Sequence, residues 1–115
     1  MSKTIIWHNP RCSKSRQTMD ILTENGVEAE VVKYLETIPS VQDITEVLKK
    51  LGISARELMR TKEDEYKELN LKDENDEVKL IEAMAAHPKL IERPIVIVGD
   101  KAVLGRPPEK VLELI

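Results

Sequence analysis

The sequence has a single cysteine, Cys12, so no disulfide can form within the chain. Aromatic residues are scarce, with one Trp, two Tyr and no Phe, which argues against a base-stacking platform for nucleic acid. No apolar run has the length of a signal peptide or of a membrane-spanning helix, which needs roughly 18 residues. The net charge of −3 also argues against non-specific binding to DNA or to a membrane surface. These absences predict a cytoplasmic protein with no nucleic-acid and no membrane partner.

The charge that is present is unevenly distributed along the 115 residues. Residues 1–19 contain four basic residues and no acidic one, whereas the remainder contains 14 basic and 21 acidic residues. The chain length and an apolar fraction of 41% are those of one globular domain with its own core. Because the only thiol lies in the basic stretch, the sequence predicts a local anion site around Cys12.

Two parts of the chain carry the pattern of a sheet. The apolar runs TIIW (4–7) and EAEVVKYL (28–35) predict two parallel strands, joined by a helix that ends near Asn25 before Gly26. PIVIV (94–98) and KAVLG (101–105) predict an antiparallel pair of strands, and RPPEKVLELI (106–115) predicts a terminal helix. Its predicted inward residues are Val111, Leu112 and Ile115.

The segment between these parts, about 40–91, predicts a helical insertion. It contains a helix from Ser40 to Gly52, a capping-box pattern at 54–57, a charged helical turn and a helix over 77–88. The predicted inward residues of the two longer helices are Val41, Ile44, Val47, Leu48 and Leu51, and Val78, Ile81, Met84 and Ala85. This order predicts a single α/β domain (1–115) of thioredoxin-like fold, with a four-stranded mixed sheet flanked by helices.

Cys12 stands directly after a predicted strand and directly before a predicted helix. Backbone N–H groups converge at a helix N-terminus, and the helix dipole favours an anion there by about 0.3–1 kcal/mol. Such surroundings lower a thiol pKa from about 8.5 to between about 3.5 and about 7.5. The alternative is an inert buried cysteine, but the polar neighbours Arg11, Ser13 and Lys14 favour a reactive thiolate. Two roles are open for His8: it forms a structural hydrogen bond, or it acts as a general acid or base.

Cys12 and Ser15 form the pattern Cys-x-x-Ser, which lacks the second cysteine of a dithiol enzyme. An external thiol must therefore resolve any adduct on Cys12, which favours glutathione as the co-substrate, with or without a glutaredoxin. No metal is expected, because one cysteine and the distant His8 and His87 provide no ligand spacing. No bound cofactor is expected either.

Three arginines are candidates for anion binding: Arg60, Arg93 and Arg106. Each could equally be an ordinary surface residue. Arg93 and Arg106 each precede a proline at the ends of the predicted strand pair. In a thioredoxin-like fold the turn at Arg93 would approach the Cys12 loop, often through a cis-proline. The planar guanidinium suits bidentate binding of an oxyanion.

With these residues identified, the sequence resembles the glutaredoxin-coupled arsenate reductase family over essentially its whole length. HNPRCSKSRQT (8–18) is similar to the family's active-site signature, His-Asn-Pro-x-Cys-x-x-Ser-Arg-x-Thr. Three further blocks match in the same order: LGISARELMRTKEDEYKELNL (51–71), HPKLIERPIVIV (87–98) and LGRPPEKVLELI (104–115).

The resemblance implies that Cys12 attacks arsenate and forms a thiol–arsenate adduct. Arg60, Arg93 and Arg106 correspond to the arginines that bind the oxyanion, and His8 corresponds to a histidine that helps to lower the cysteine pKa. Ser15 and Arg16 complete the predicted oxyanion-binding set. Glutathione would then release arsenite and leave a mixed disulfide on Cys12, which glutaredoxin reduces.

Two other functions remain open from the sequence. Spx-type regulators that bind RNA polymerase share this fold, but they typically carry Cys-x-x-Cys, and Ser15 argues against that switch. A glutathione-dependent thiol reductase with another substrate is the third possibility. Ser13 and Lys14 stand where arsenate-reducing members tend to have smaller or neutral residues, so the oxyanion itself is left open.

Overall fold

The computed structural model describes residues 3–115, which divide into two compact units. The first, here called the sheet unit, consists of residues 3–37 and Arg93–Ile115. The second, here called the helical unit, is Ile38–Glu92 and corresponds in sequence to the segment predicted as the helical insertion. That the whole chain forms a single domain stays a prediction.

The sheet unit contains a four-stranded mixed sheet in the order β2-β1-β3-β4. Its strands are β1 (Thr4–Trp7), β2 (Glu30–Val32), β3 (Ile95–Val98) and β4 (Lys101–Leu104). β1 runs parallel to β2 and antiparallel to β3, and β3 runs antiparallel to β4. The predicted thioredoxin-like architecture is therefore confirmed.

Helix α1 (Ser13–Glu24) joins the two parallel strands, as the sequence predicts. It ends at Asn25, and the following Gly26 has the predicted left-handed conformation, with φ of 72°. Leu22 of α1 is completely buried against Ile6 of β1 and Val96 of β3, which lie opposite each other in the sheet. Burial of each such side chain stabilises the fold by about 1.5–3 kcal/mol. This core fixes α1 beside β1.

A glycine allows the end of β4 to approach α1 closely. A Cβ atom on Gly105 would lie 2.6 Å from Oγ1 of Thr18 and 2.7 Å from Cγ of Pro94. Thr18 is itself fully buried and donates its hydroxyl to the carbonyl oxygen of Lys14, 2.9 Å away. The glycine thus brings the residues before Arg106 against the first turns of α1.

The helical unit contains four α-helices: α2 (Val41–Leu51), α3 (Ala55–Leu58), α4 (Asp64–Glu68) and α5 (Glu77–Ala86). Short 3₁₀ helices follow at Leu71–Asp73 and Pro88–Leu90. The predicted caps are confirmed, since Ser40 and Ser54 both form capping boxes and Gly52 ends α2 with φ of 71°. The unit's core includes Ile44, Leu58 and Met84, each fully buried.

Two predicted elements of the sheet unit differ from the structure. β2 is Glu30–Val32 instead of 28–35, and it ends before Lys33 because the carbonyl oxygen of Lys33 accepts the N–H groups of Glu36 and Thr37 in a turn. The terminal segment is a 3₁₀ helix, Pro108–Glu113, instead of an α-helix. In a 3₁₀ helix the residues i and i+3 share a face. Val111 and Leu114 therefore contact the core, whereas Leu112 and Ile115 are exposed.

Two of the predicted inward residues in the helical unit are also exposed. Val78 of α5 is 58% exposed, because the face that contacts α2 and α3 carries Leu80, Ile81 and Met84. Val41 is 40% exposed, since it occupies the first position of α2, before the buried stripe of Ile44, Val47 and Leu48 begins.

Candidate active site

Cys12 occupies the N-cap position of α1, at the end of the loop that follows β1. Its backbone is extended, with φ of −92° and ψ of 122°. The Cys12 N–H donates to the carbonyl oxygen of Asn9 over 3.0 Å, and the Cys12 carbonyl accepts the N–H of Arg16 over 3.0 Å. The thiol is therefore fixed in a half-buried position at the helix N-terminus.

Several donors surround the thiol and lower its pKa. Burial is the largest single influence and raises the pKa of Cys12, because it disfavours the charged form. This effect is outweighed by hydrogen bonds from the backbone N–H of Ser15 and from the side chain of Arg93, by the Arg93 charge, and by the Lys14 N–H. The net pKa lies below the ordinary value of a cysteine, which favours the thiolate.

The start of α1 leaves its backbone donors to the sulfur. No side-chain oxygen caps this helix, and its first turn contains no acidic residue. The first four N–H groups of a helix have no partner within the helix and carry a partial positive charge. A thiolate, or an oxyanion beside it, is the chemical group that such donors stabilise.

The Ser15 side chain is turned away from solvent and into the loop. Its Oγ lies 2.6 Å from Nδ1 of His8 and accepts the backbone N–H of Asn9 over 3.1 Å. Ser15 is completely buried, and His8 and Asn9 are nearly so. The hydroxyl of Ser15 thus ties the end of β1 to the first turn of α1. Its predicted contact with an oxyanion stays a prediction.

The surroundings of His8 favour its uncharged form. Burial lowers the pKa of His8, and the nearby positive charge of Lys33 lowers it further. Because the Ser15 Oγ already accepts from Asn9, its hydroxyl proton is available for Nδ1 of a neutral His8 ring. The predicted influence of His8 on the cysteine stays a prediction, and the contact through Ser15 supplies a route for it.

Arg93 and Arg106 meet at the open end of the β3–β4 pair. The Arg93–Pro94 peptide bond is cis, as predicted, and so is the Arg106–Pro107 bond. The Arg93 side chain bonds to the Cys12 sulfur, while Nε of Arg106 donates to the carbonyl oxygen of Arg93 over 2.8 Å. The structure thus brings these two arginines and the thiol together in the sheet unit.

The other two predicted anion-binding residues are Arg60 and Arg16. Arg60 belongs to the helical unit, where its N–H donates to the carbonyl of Leu90 over 2.7 Å. Its Nε lies 3.5 Å from a carboxylate oxygen of Glu63 and 4.0 Å from one of Glu92. Arg16 is exposed on α1. Oxyanion binding by Arg60 and Arg16 stays a prediction.

Sequence reasoning did not single out Asn9 or Gly105. The Asn9 Oδ1 accepts the N–H of Arg11 over 3.0 Å, and its backbone bonds to both Cys12 and Ser15, so it organises the whole loop. Its position before Pro10, in a stretch that turns from strand to helix, was the available signal. Nothing in the sequence indicated the close contact at Gly105.

Residues 3–115 lack two features that are typical of other classes of protein. In this part of the chain, no three His, Cys, Asp or Glu residues are grouped closely enough to hold a metal ion. Over the same residues, no helix is both long enough and apolar enough to span a membrane.

The four-stranded mixed sheet flanked by helices, with a single cysteine at a helix N-terminus beside an arginine, defines the class as a thioredoxin-like protein. The ArsC family model matches residues 7–114, and the chain belongs to that family.

Named relatives cover nearly the full chain. An uncharacterised Escherichia coli K12 protein, YfgD, is 59% identical over 100% of this chain and 99% of its own length. An arsenate reductase of Neisseria meningitidis serogroup A is 50% identical over 96% and 97%. The solved structure of an arsenate reductase from Vibrio cholerae has 50% identity and a TM-score of 0.96, covering 99% of this chain and 98% of that one.

Proposed function

We propose that this protein reduces arsenate to arsenite, with Cys12 as the nucleophile and glutathione and glutaredoxin as external reductants. The observation that carries the proposal is the Cys12 thiol at the start of α1, hydrogen-bonded to backbone N–H groups and Arg93. Relatives that are named arsenate reductases share half of its residues over almost the full chain, which supports arsenate as the substrate.

The first step is attack by the Cys12 thiolate on arsenic. A sulfur–arsenic bond forms, and one arsenate oxygen leaves as water after it takes up protons. The thiolate is the reactive form, so the groups that lower the pKa of Cys12 raise the fraction ready to react. The guanidinium of Arg93, already at the sulfur, would offset the negative charge of the arriving oxyanion.

Two thiols supply the two electrons that reduce arsenic. One is Cys12 and the other is glutathione. Attack by the glutathione thiolate on the Cys12 sulfur forms a disulfide and breaks the sulfur–arsenic bond, whose electron pair stays on arsenic, reduces arsenic(V) to arsenic(III) and releases arsenite. Ser15 stands where a dithiol enzyme has its second cysteine, so the mixed disulfide needs an external thiol. Glutaredoxin would take up the glutathionyl group and restore the Cys12 thiol.

The remaining residues have supporting parts in this proposal. Arg93 and Arg106 would hold the oxyanion from the sheet unit, with Arg60 and Arg16 as further anion-binding residues taken from the family resemblance. His8 and Ser15 would fix the geometry of the loop, since they bond to each other within it. This reaction needs no bound cofactor. Because its reductants are thiols, we expect the protein to act in the cytoplasm.

The proposal is tested by arsenite formation with glutathione and glutaredoxin, each omitted in turn. We expect turnover that depends on arsenate and on both thiols, and that is absent in Cys12→Ser. Ser13→Ala is the matched control, because Ser13 is the exposed neighbour of Cys12 in the same turn. Full activity in Cys12→Ser would rule out the mechanism.

The same assay separates the competing functions. Turnover of a glutathione mixed disulfide with no dependence on arsenate would identify a thiol reductase with a different substrate. Co-purification of RNA polymerase with a protein whose Cys12 is unreactive would identify a regulator. Either result would replace the arsenate reductase proposal.

A further inference from the structure

The β3–β4 pairing continues beyond the ends of both strands. Ile95 lies opposite Leu104 as the last pair of the ladder. The next pair is joined by the Gly105 N–H, which donates to the carbonyl oxygen of Pro94 over 2.9 Å. One residue further, the Arg93 carbonyl accepts from Nε of Arg106 over 2.8 Å. At this position the donor is a side chain, since hydrogen-bonded and non-hydrogen-bonded pairs alternate along an antiparallel ladder and the pair after Pro94 and Gly105 has no backbone bond between its residues.

The backbone pairing of the two strands ends at this point. Pro94 has no N–H, so it accepts from Gly105 but donates nothing in return. A backbone carbonyl in a partly buried position needs a donor. The Arg106 guanidinium supplies a charged one at a distance typical of a strong hydrogen bond.

The residue whose main chain is held in this way is the arginine that contacts the thiol. We propose that Arg106 is a positioning residue, whose Nε–H···O=C bond to Arg93 fixes the Arg93 main chain so that its guanidinium reaches the Cys12 sulfur. Gly105 also packs closely against Pro94 and Thr18 at this corner, since a Cβ on Gly105 would lie 2.7 Å from Pro94 Cγ and 2.6 Å from Thr18 Oγ1. The inference rests on the proposed function only for the identity of Cys12 as the reacting thiol.

A positioning role and direct binding of an oxyanion predict different effects of Arg106 on the pKa of Cys12 when no substrate is present. A residue that only contacts the oxyanion does not orient Arg93 in the free protein, and can act on the free thiol only through its charge. A residue that orients Arg93 raises the thiol pKa when it is removed, because Arg93 then stabilises the thiolate less well. Arg93 is the side chain whose bond and charge act on Cys12, so the effect of Arg106 would have to pass through it.

The test is the pH dependence of iodoacetamide alkylation of Cys12, measured without arsenate. We expect Arg106→Ala to raise the midpoint by about half or more of the increase seen in Arg93→Ala, and the double variant to match Arg93→Ala alone. Arg106→Lys keeps the charge but has no Nε–H in that place, so it should behave like Arg106→Ala. Lys110→Ala removes an exposed positive charge from the same terminal segment and should leave the midpoint unchanged.

Two outcomes would overturn the proposal. An Arg106→Lys midpoint equal to that of the wild type would show that only the charge matters. Additive increases in the double variant would show that the two arginines act independently. If Arg106→Ala fails to fold, as judged by circular dichroism, Arg106→Lys and Arg106→Gln provide the same comparison. A wild-type protein that forms no arsenite would refute the proposed function but leave these midpoints unaffected.

Discussion

In the helical unit, α2 starts at Ser40, whose Oγ accepts the Asp43 N–H over 3.1 Å while the Asp43 carboxylate accepts the Ser40 N–H over 3.0 Å. In the sheet unit, α1 starts at Cys12 with no capping oxygen and no acidic residue in its first turn. The helical unit uses its helix start for stability, since such a cap contributes about 1 kcal/mol. The sheet unit keeps the equivalent donors for the thiol.

The two units also differ in their balance of acidic and basic residues. The helical unit, Ile38–Glu92, contains 9 basic and 13 acidic residues, whereas the rest of the chain contains 9 basic and 8 acidic residues. Acidic residues in the first turns of α2 and α3 favour those helices through the dipole. The same residues at the start of α1 would repel a thiolate. The difference teaches that a reactive helix start is recognised by the stabilising groups that it lacks.

Exchange of the thiol for a hydroxyl should have the largest effect. Serine is a good N-cap residue, so Cys12→Ser should fold with a free energy of unfolding within about 1 kcal/mol of the wild type. Its arsenite formation should fall by about three orders of magnitude or more, because the hydroxyl is not a nucleophile at neutral pH. Thermal unfolding and turnover are measured on the same sample. A large loss of stability would mean that the thiol is a structural group.

The close approach at Gly105 should be the next most sensitive feature. Gly105→Ala places a Cβ 2.6 Å from Thr18 Oγ1 and should destabilise the fold by about 1–3 kcal/mol. In the helical unit, Gly52→Ala meets no atom within 4 Å, so it should cost about 1 kcal/mol through its φ of 71° alone. Denaturant unfolding of both variants checks the order, and a larger effect at Gly52 would contradict it.

The thiolate should make stability depend on pH in a defined direction. The pKa of Cys12 is lower in the folded protein than in the unfolded chain, so the unfolded chain binds more protons between the two values. The resulting stability is fully present above the unfolded pKa and is lost as the pH falls through the folded pKa. Each unit of difference corresponds to about 1.4 kcal/mol. The measurement is the free energy of unfolding of the wild type and of Cys12→Ser at several pH values. The two free energies should converge at the acidic end of this window.

Removal of the α2 cap should affect stability without affecting the thiol. Ser40→Ala should lower the free energy of unfolding by about 1 kcal/mol, because the Asp43 N–H loses its partner. The alkylation midpoint of Cys12 should remain that of the wild type. A shifted midpoint would break the division of roles between the two helix starts.

Introduction of an acidic residue into α1 should show the smallest effect. Lys14→Glu gives its first turn a carboxylate of the kind that Asp43 gives to α2. Since a charge near a helix N-terminus is worth about 0.3–1 kcal/mol, the alkylation midpoint should rise by a few tenths of a pH unit. Lys14→Gln separates loss of the lysine charge from gain of the carboxylate. An unchanged midpoint in Lys14→Glu would mean that side-chain charges in the first turn of α1 do not act on the thiol.

Local signals in the sequence were sufficient for much of the fold. The strand Thr4–Trp7 has its predicted bounds, and Ser40, Ser54 and Gly52 have their predicted capping roles. These features depend on residues a few positions apart, which is the range that periodicity and capping patterns describe. The errors at Val78 and Leu112 arose where a neighbouring element, or a different helix type, decided which face was covered.

For the site, the sequence by itself determined where the single thiol lies, at a strand-to-helix junction in a stretch without acidic residues. This pattern, with Ser15 three positions on, predicted a thiolate that depends on external thiols. Only the tertiary structure decided that Arg93 bonds to that thiol, that Arg106 holds Arg93, and that Ser15 turns its hydroxyl to His8. Arg93 lies 81 positions from Cys12 in the chain. Sheet register and burial bring such distant groups together and set their charge states, and no local pattern encodes either.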